Sequence, residues 1–149
     1  MNKPIKKIPI QDLLASMLKD SISAVQTAGA FYRYIGEQIR NGFIRNKFIK
    51  FSEEESRKHK NILNDRLKEV GKEPLISAPD APDANKETES YSLIGALHLA
   101  EEFARKIIKM SKKEMKKDKN HHQIYDEIIK DEKKYYKAIK KEEDYPRQE

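Results

Sequence analysis

The sequence predicts an all-α protein: a four-helix bundle made of two antiparallel helix hairpins joined by a long crossover. Three observations lead there. Charged residues are 38% of the chain while glycine and proline are scarce, a composition of long solvated helices rather than of a sheet. Apolar residues recur at three- and four-residue steps over four separate stretches, the signature of amphipathic helices. Between the second and third stretches, Pro74, Pro79 and Pro82 fall within nine residues, which no helix interior accommodates.

The first helix is expected over about 10–40. Asp12 stands near its start, and Leu14, Leu18 or Met17, Ser21, Val25, Ala28, Tyr32, Ile35 and Ile39 form one inward stripe. Asn41-Gly42 reads as its stop, because both residues tolerate the left-handed backbone of a helix end. The second helix follows over about 43–70, with Ile44, Phe48, Phe51, Glu55, His59, Ile62 and Leu63 inward and Gly71 as its stop. So short a link makes the pair antiparallel. Residues 72–90 read as the crossover, since neither helix pair alone covers its apolar stripe.

The third helix, about 91–119, carries Leu93, Leu97, Ala100, Ala104, Ile107 or Ile108, and Met115, and ends in a lysine-rich run suited to the negative end of the helix dipole. The fourth, about 121–143, carries Ile124 or Tyr125, Ile128, Glu132, Tyr135 and Ile139; residues 144–149 form a polar, frayed tail. At 149 residues the chain reads as a single domain, 1–149, able to fold without disulfides or a structural metal.

Composition also excludes. No cysteine is present, which removes zinc ribbons, iron-sulfur clusters, thiol nucleophiles and disulfide scaffolds, so any metal must be held by oxygen and imidazole. No apolar run approaches the roughly 18 residues of a membrane-spanning helix, and a soluble, cytoplasmic protein with no membrane partner is expected. The net charge of +6 comes from 31 basic and 25 acidic residues interspersed along the helices. That pattern reads as a solvated surface, with a basic nucleic-acid-binding bundle as the minor alternative.

The two helix pairs are related by an offset of 76 residues. Ala28 then falls on Ala104, Phe31-Tyr32 on Ile107-Ile108, Phe48 on Ile124 and Leu63 on Ile139. The polar positions differ between copies: Val25 falls on Glu101, Ser56 on Glu132, and His59 on Tyr135. Over roughly residues 10 to 143 this arrangement resembles the ferritin-like superfamily, and within it the rubrerythrin-type proteins. The resemblance implies a Glu on the first helix of each pair and a Glu-x-x-His on the second, six ligands for two irons. Ala28 and Phe31-Tyr32 keep the first-helix frame behind Val25. Glu101 keeps the Glu, with Ala104 and Ile107-Ile108 behind it. Asp131 to Tyr135 matches the fourth-helix motif with Tyr135 in place of His, and Glu54 to His59 matches the second with Ser56 in place of Glu. No Cys-x-x-Cys electron-transfer motif occurs.

In that register His59, Glu101 and Glu132 remain as metal ligands, enough for one divalent ion with open positions, whereas a dinuclear site also needs bridging carboxylates from opposite helices. Glu55 is the fourth candidate: four residues before His59, it shares that face, and a small rotation or a π-bulge would bring it inward. His98, one turn before Glu101, either supplements the set or is a boundary histidine; His121 and His122 read as the start of the fourth helix. Carboxylates on an apolar stripe must be protonated, paired or metal-bound. Without metal, His59 or a nearby Lys or Arg neutralises Glu101 and Glu132, or the two share a proton. Tyr135 is expected in the core with its hydroxyl on Glu132 or Glu101.

Two functions follow. One is a ferritin-like, rubrerythrin-related protein with a degenerate carboxylate/histidine site for iron or another divalent metal. The other is a metal-free structural or interaction bundle that has lost di-iron oxidase or peroxidase activity. Homo-oligomerisation, as a dimer, is what the resemblance implies for partners.

Overall fold

The computed structural model describes residues 10–75 and 91–145. Helix α1 is Ile10–Gln38. Helix α2 runs over 42–69 as three consecutive pieces, an α-helical Gly42–Glu53, a π-helical turn Glu54–His59 and an α-helical Lys60–Glu69. Helix α3 is Leu93–Lys117, and after a 3-10 turn at Lys119–His121, α4 is His122–Glu143. No strand occurs among the described residues.

Helix direction follows from side-chain pairings. Ser21 meets Glu114, Phe31 meets Phe103 and Tyr34 meets Tyr91, so α1 and α3 are antiparallel. Glu54 pairs with Lys134, Lys58 with Asp131 and Arg66 with Asp118, so α2 and α4 are antiparallel too. Two hairpins placed this way leave the end of α2 and the start of α3 at opposite ends of the bundle. Lys72 reaches Asp12 near the start of α1, at 3.0 Å, while Tyr91 lies beside Tyr34 near its end. The described residues on either side of the connection thus stand 22 residues apart along α1, from Asp12 to Tyr34, about 33 Å. Residues 76–90 of the expected crossover, and 146–149 of the expected tail, lie outside the described residues.

Local signals set the helix ends. Gly71 has φ 81, and the bonds from its N–H to Lys68 O and from Lys72 N–H to Leu67 O form the closing pattern of a helix that stops on a left-handed glycine. Asn41-Gly42 behaves differently from the expected stop. Asn41 is extended, and its side chain accepts from Ile44 N–H at 3.1 Å; it is the N-cap of α2, and Gly42 is already helical. At α3, Ser92 caps in the same way.

The core is the line of Leu18, Ile22, Val25, Ala28, Tyr32 and Ile35 from α1 packed against Phe48, Phe51, Leu63 and Leu67, Leu97, Ala100, Ala104 and Ile107, and Tyr125, Ile128, Tyr135 and Ile139. Where the stripe was ambiguous, Leu18, Ile107 and Tyr125 are the buried members. Into this apolar interior the chain also sends Glu55, His59, Glu114 and Glu132, each with zero exposure.

Candidate metal centre

Three of those buried polar groups converge. Glu55, His59 and Glu132 each place one potential ligand atom within 4.8 Å of the others. His59 Nδ1 contacts Glu55 Oε1 and lies 3.5 Å from Glu132 Oε2, while its Nε2 is 2.8 Å from Asp131 Oδ2. Asp131 also accepts from Lys58 Nζ at 2.8 Å, and Lys58 pairs with Glu127 at 3.0 Å. A carboxylate on one imidazole nitrogen fixes the ring and directs the other nitrogen. Here it directs Nδ1 toward the two glutamates.

The π-helical turn makes this convergence possible. Its extra residue separates Glu55 from His59 by four positions, where α4 separates Glu132 from Tyr135 by three. Buried positions on the two helices match in two registers. Before and at the turn, Phe48, Phe51 and Glu55 correspond to Tyr125, Ile128 and Glu132, an offset of 77 residues. After it, His59 and Leu63 correspond to Tyr135 and Ile139, an offset of 76. One residue is absorbed between them, as a π-bulge absorbs an insertion without turning the rest of the helix. A single offset of 76 places Ser56 where Glu132 stands. In the structure Ser56 is exposed on the outer side of the turn, and Glu55 holds the inward place. Gly29 of α1 admits the turn: a Cβ there would meet Glu55 Cβ and Ser52 O at 3.4 Å.

Glu101 does not join the cluster. The inner line of α3 passes through Leu97, Ala100 and Ala104, and Glu101 sits one residue round the helix, at the seam with α4. Arg105 Nη2 donates to its Oε1 at 2.9 Å and Lys140 Nζ lies at 3.6 Å. Burial would raise its carboxyl, but a hydrogen bond with Glu143 and the Lys140 and Arg105 charges hold it below the usual range. His98 and Glu143 stand beside it, His98 largely exposed, and these three also bring ligand atoms within 4.8 Å of one another. His121 Nδ1 lies 3.2 Å from Asp118 and His122 Nδ1 3.2 Å from Asp126, both at the start of α4.

Val25 is fully buried, so α1 brings an apolar side chain where the resemblance places a carboxylate. Tyr135 is in the core, packed on Phe51 with centroids 4.4 Å apart and on Tyr32 at 5.4 Å. Its hydroxyl departs from expectation: it bonds neither Glu132 nor Glu101 and, like the Tyr32 hydroxyl, has no hydrogen-bond partner among the described residues. The ring is positioned by aromatic stacking, and that fixes where the hydroxyl ends. Asp131 and Lys58 were not among the residues that sequence reasoning gave a role at the site, and Tyr32 was read only as part of the first-helix aromatic frame. For Asp131 a signal existed, since it directly precedes Glu132 and so lies beside the inward face.

Electrostatics show how the cluster is balanced. Burial raises the Glu132 carboxyl well above the ordinary range, Glu55 raises it further, and His59 opposes them. Burial alone would lower the His59 imidazole, but the adjacent Glu132 and Glu55 carboxyls outweigh that and hold it up to about 10. The Tyr32 phenol is raised by burial and by both glutamates, and Tyr135 is raised by burial and by Glu55, so both stay protonated. Glu55 Oε2 and both oxygens of Glu132 have no hydrogen-bond partner among the described residues. Orphaned carboxylate oxygens in a dry pocket, around one imidazole nitrogen, are a donor set that fits one divalent cation. A second ion beside this one would lack donors, because Val25 is apolar, Tyr135 stands in place of a histidine, and Glu101 is held by Arg105 and Lys140 away from the cluster.

Compared with known protein families, residues 16–143 match the family model described as Rubrerythrin. Neither the curated proteins nor the solved structures gave a match.

Proposed function

Because the chain belongs to the rubrerythrin family, we propose that its ferritin-like bundle binds one divalent cation through Glu55, His59 and Glu132. Iron is the first candidate, as the metal that family usually holds in pairs. The observation that carries the reading is the set of three fully buried donors with unpartnered carboxylate oxygens.

Such an ion, when bound, supplies open coordination positions and Lewis acidity. The rest is the work of this chain's own residues. Asp131, steadied by Lys58, holds the Nε2 proton of His59 and leaves Nδ1 free to donate a lone pair. Glu55 and Glu132 bring negative charge from two helices, which neutralises a cation in an apolar cavity. Phe51, Tyr32 and Tyr135 keep bulk water out, and the Tyr32 and Tyr135 hydroxyls remain available as proton donors.

A second reading rests on the contact between His59 and Glu55. A protonated His59 neutralises the glutamates by itself, so the same cluster serves as a metal-free ionic core of a structural bundle. Metal analysis separates the two. Untagged protein loaded with Fe(II) or Mn(II) is expected to retain about one equivalent and to melt at a higher temperature, by mass action. Glu132→Ala is expected to retain under about 0.2 equivalents, with no metal-dependent shift in melting. Equal, near-zero retention by both proteins establishes the metal-free reading.

A further inference from the structure

Basic and acidic residues alternate along the sequence, yet the fold sorts them. Among residues 91–145, thirteen basic side chains are exposed against four acidic ones, Glu102, Asp126, Glu127 and Asp144. Six acidic residues of the same hairpin are buried: Glu101, Glu114, Asp118, Asp131, Glu132 and Glu142. The first hairpin, residues 10–75, exposes nine basic and seven acidic residues and spends several on pairs such as Arg33–Glu37 and Lys72–Asp12. A modest net charge thus conceals one strongly basic half.

On that half the charges line a definite feature. The Arg105–Tyr136 hydrogen bond at 2.9 Å and the Glu101–Lys140 pair at 3.6 Å fix the outer seam between α3 and α4. Lys109, Lys112 and Lys116 continue from Arg105 along α3 at helical steps, and Lys133 and Lys137 flank Tyr136 on α4, where they border a shallow depression. None of these five lysines forms an ion pair with an acidic side chain among the described residues. The 25 residues of α3 span about 37 Å, close to one turn of a nucleic-acid duplex.

We propose that the α3–α4 face binds double-stranded nucleic acid through its phosphate backbone, without base recognition. Lysine predominates here, and lysine meets phosphate as a point charge; arginine's bidentate geometry, the usual reader of base edges, is represented by Arg105 alone. The aromatic at this seam, Tyr136, is covered by Arg105, so it gives no open platform for stacking single-stranded bases. Among the described residues of this hairpin the large exposed apolar side chains are Ile94 and Tyr145, at the start of α3 and just past the end of α4. A membrane surface, which calls for apolar insertion alongside charge, is therefore the weaker fit.

The test uses the full chain and a fluorescein-labelled 30-base-pair DNA duplex of mixed sequence, read by anisotropy. Binding at 50 mM KCl is expected to weaken about a hundredfold by 200 mM if roughly four phosphates are neutralised. The variant Lys109→Glu/Lys112→Glu/Lys133→Glu/Lys137→Glu is expected to lose at least tenfold in affinity at 50 mM. A control of equal charge change on exposed residues of the other hairpin, Lys19→Glu/Lys47→Glu/Lys50→Glu/Lys68→Glu, is expected to lose less than threefold. Equal losses in the two variants would overturn the proposal, since net charge alone would explain them. So would no duplex binding at 100 µM protein, or tighter binding of the single strand. Vesicles with 30% phosphatidylserine form the last arm: binding to them, lost in the first variant while duplex binding is unchanged, assigns the face to membranes and sinks the proposal.

Discussion

Helices α2 and α4 present the same buried series, aromatic or aliphatic residues leading to a glutamate and then to a ring, yet they reach it by different geometry. In α4 Glu132 and Tyr135 are three apart on a regular helix; in α2 Glu55 and His59 are four apart across a π-helical turn. The difference shows that an inserted residue need not destroy a site. Absorbed as a π turn, it left Phe48 and Phe51 on one side, and Leu63 and Leu67 on the other, in the core. Asp131 beside His59 has its counterpart in Glu54, whose Oε1 lies 3.5 Å from Lys134 Nζ. The two halves therefore keep a mirrored arrangement of inner glutamate and supporting acid, and differ in the ring between them.

Deleting one residue from each helix puts this comparison to the severest test. Removing Ser56 should let 54–59 relax to α-helix with Glu55 and His59 still inward, and the protein should melt within a few degrees of its parent. Removing Lys133 has no turn to relax. It would rotate Tyr135, Ala138 and Ile139 off the core, a loss comparable with the roughly 5–15 kcal/mol that stabilises a domain, so no cooperative melt is expected. Circular dichroism through a thermal ramp reads both. Similar damage from the two deletions would mean that the turn is not an absorbed insertion.

This also explains what the sequence disclosed. Four helices were legible because apolar spacing reports the inward face over many turns, and Leu18, Ala28, Phe48, Leu97 and Ile128 all fall where that spacing puts them. The inward carboxylate of α2 was harder, because Glu53-Glu54-Glu55-Ser56 offers acids at successive positions and a shift of one residue leaves composition unchanged. Glu101 is buried beside the inner stripe, as its position in the sequence suggests, but the groups it meets there were not legible. Its spacing to Ala104 fits the inner face, but Arg105 and Lys140, one of them distant in sequence, hold its carboxylate at the outer seam. Pairing across helices is not written in helical periodicity.

A second difference concerns how buried carboxyls are compensated. Glu55 and Glu132 share His59, whereas Glu114, between α1 and α3, has the Ser21 hydroxyl donating to Oε1 and no partner for Oε2 among the described residues. Burial pushes Glu114 up to about 8, with Asp20 and Asp118 adding to the rise. Its neutral form is the one that fits, so this contribution to stability is complete below the unfolded value near 4.5 and is lost as pH rises through about 8. Glu114→Gln keeps the shape and removes the titration. Between pH 5.5 and 8.5 the stability of the variant relative to the parent should rise by about 3 kcal/mol, measured by urea denaturation. A gap independent of pH would show that Glu114 is ionised without penalty.

The ring that separates the halves can be exchanged. Tyr135→His gives α4 the donor that α2 already has, with Glu54 in place to support it as Asp131 supports His59. Affinity for Mn(II) is expected to rise about tenfold, which corresponds to about 1.4 kcal/mol, and capacity should exceed one equivalent. Isothermal titration measures both. Unchanged affinity and capacity would mean that the mirror relation ends at the glutamates.

The smallest expected effect lies where α1 meets the π turn. A Cβ at Gly29 would sit 3.4 Å from both Glu55 Cβ and Ser52 O, ordinary contact at the near limit, with backbone on one side and the root of the Glu55 side chain on the other. Helix propensity favours alanine over glycine by about 1 kcal/mol, and the contact offsets part of that. Gly29→Ala should therefore raise stability by less than about 1 kcal/mol. Because the added methyl touches Glu55 at its Cβ, cation affinity should fall by no more than a few fold. Gly36→Ala makes the control, since its Cβ would come within 2.9 Å of Ile49 Cδ1 and 3.2 Å of Arg45 O, remote from the glutamates. A loss of metal binding in Gly29→Ala but not in Gly36→Ala would show that the π turn needs the full close approach of α1; equal binding in both would show that the turn carries its own geometry.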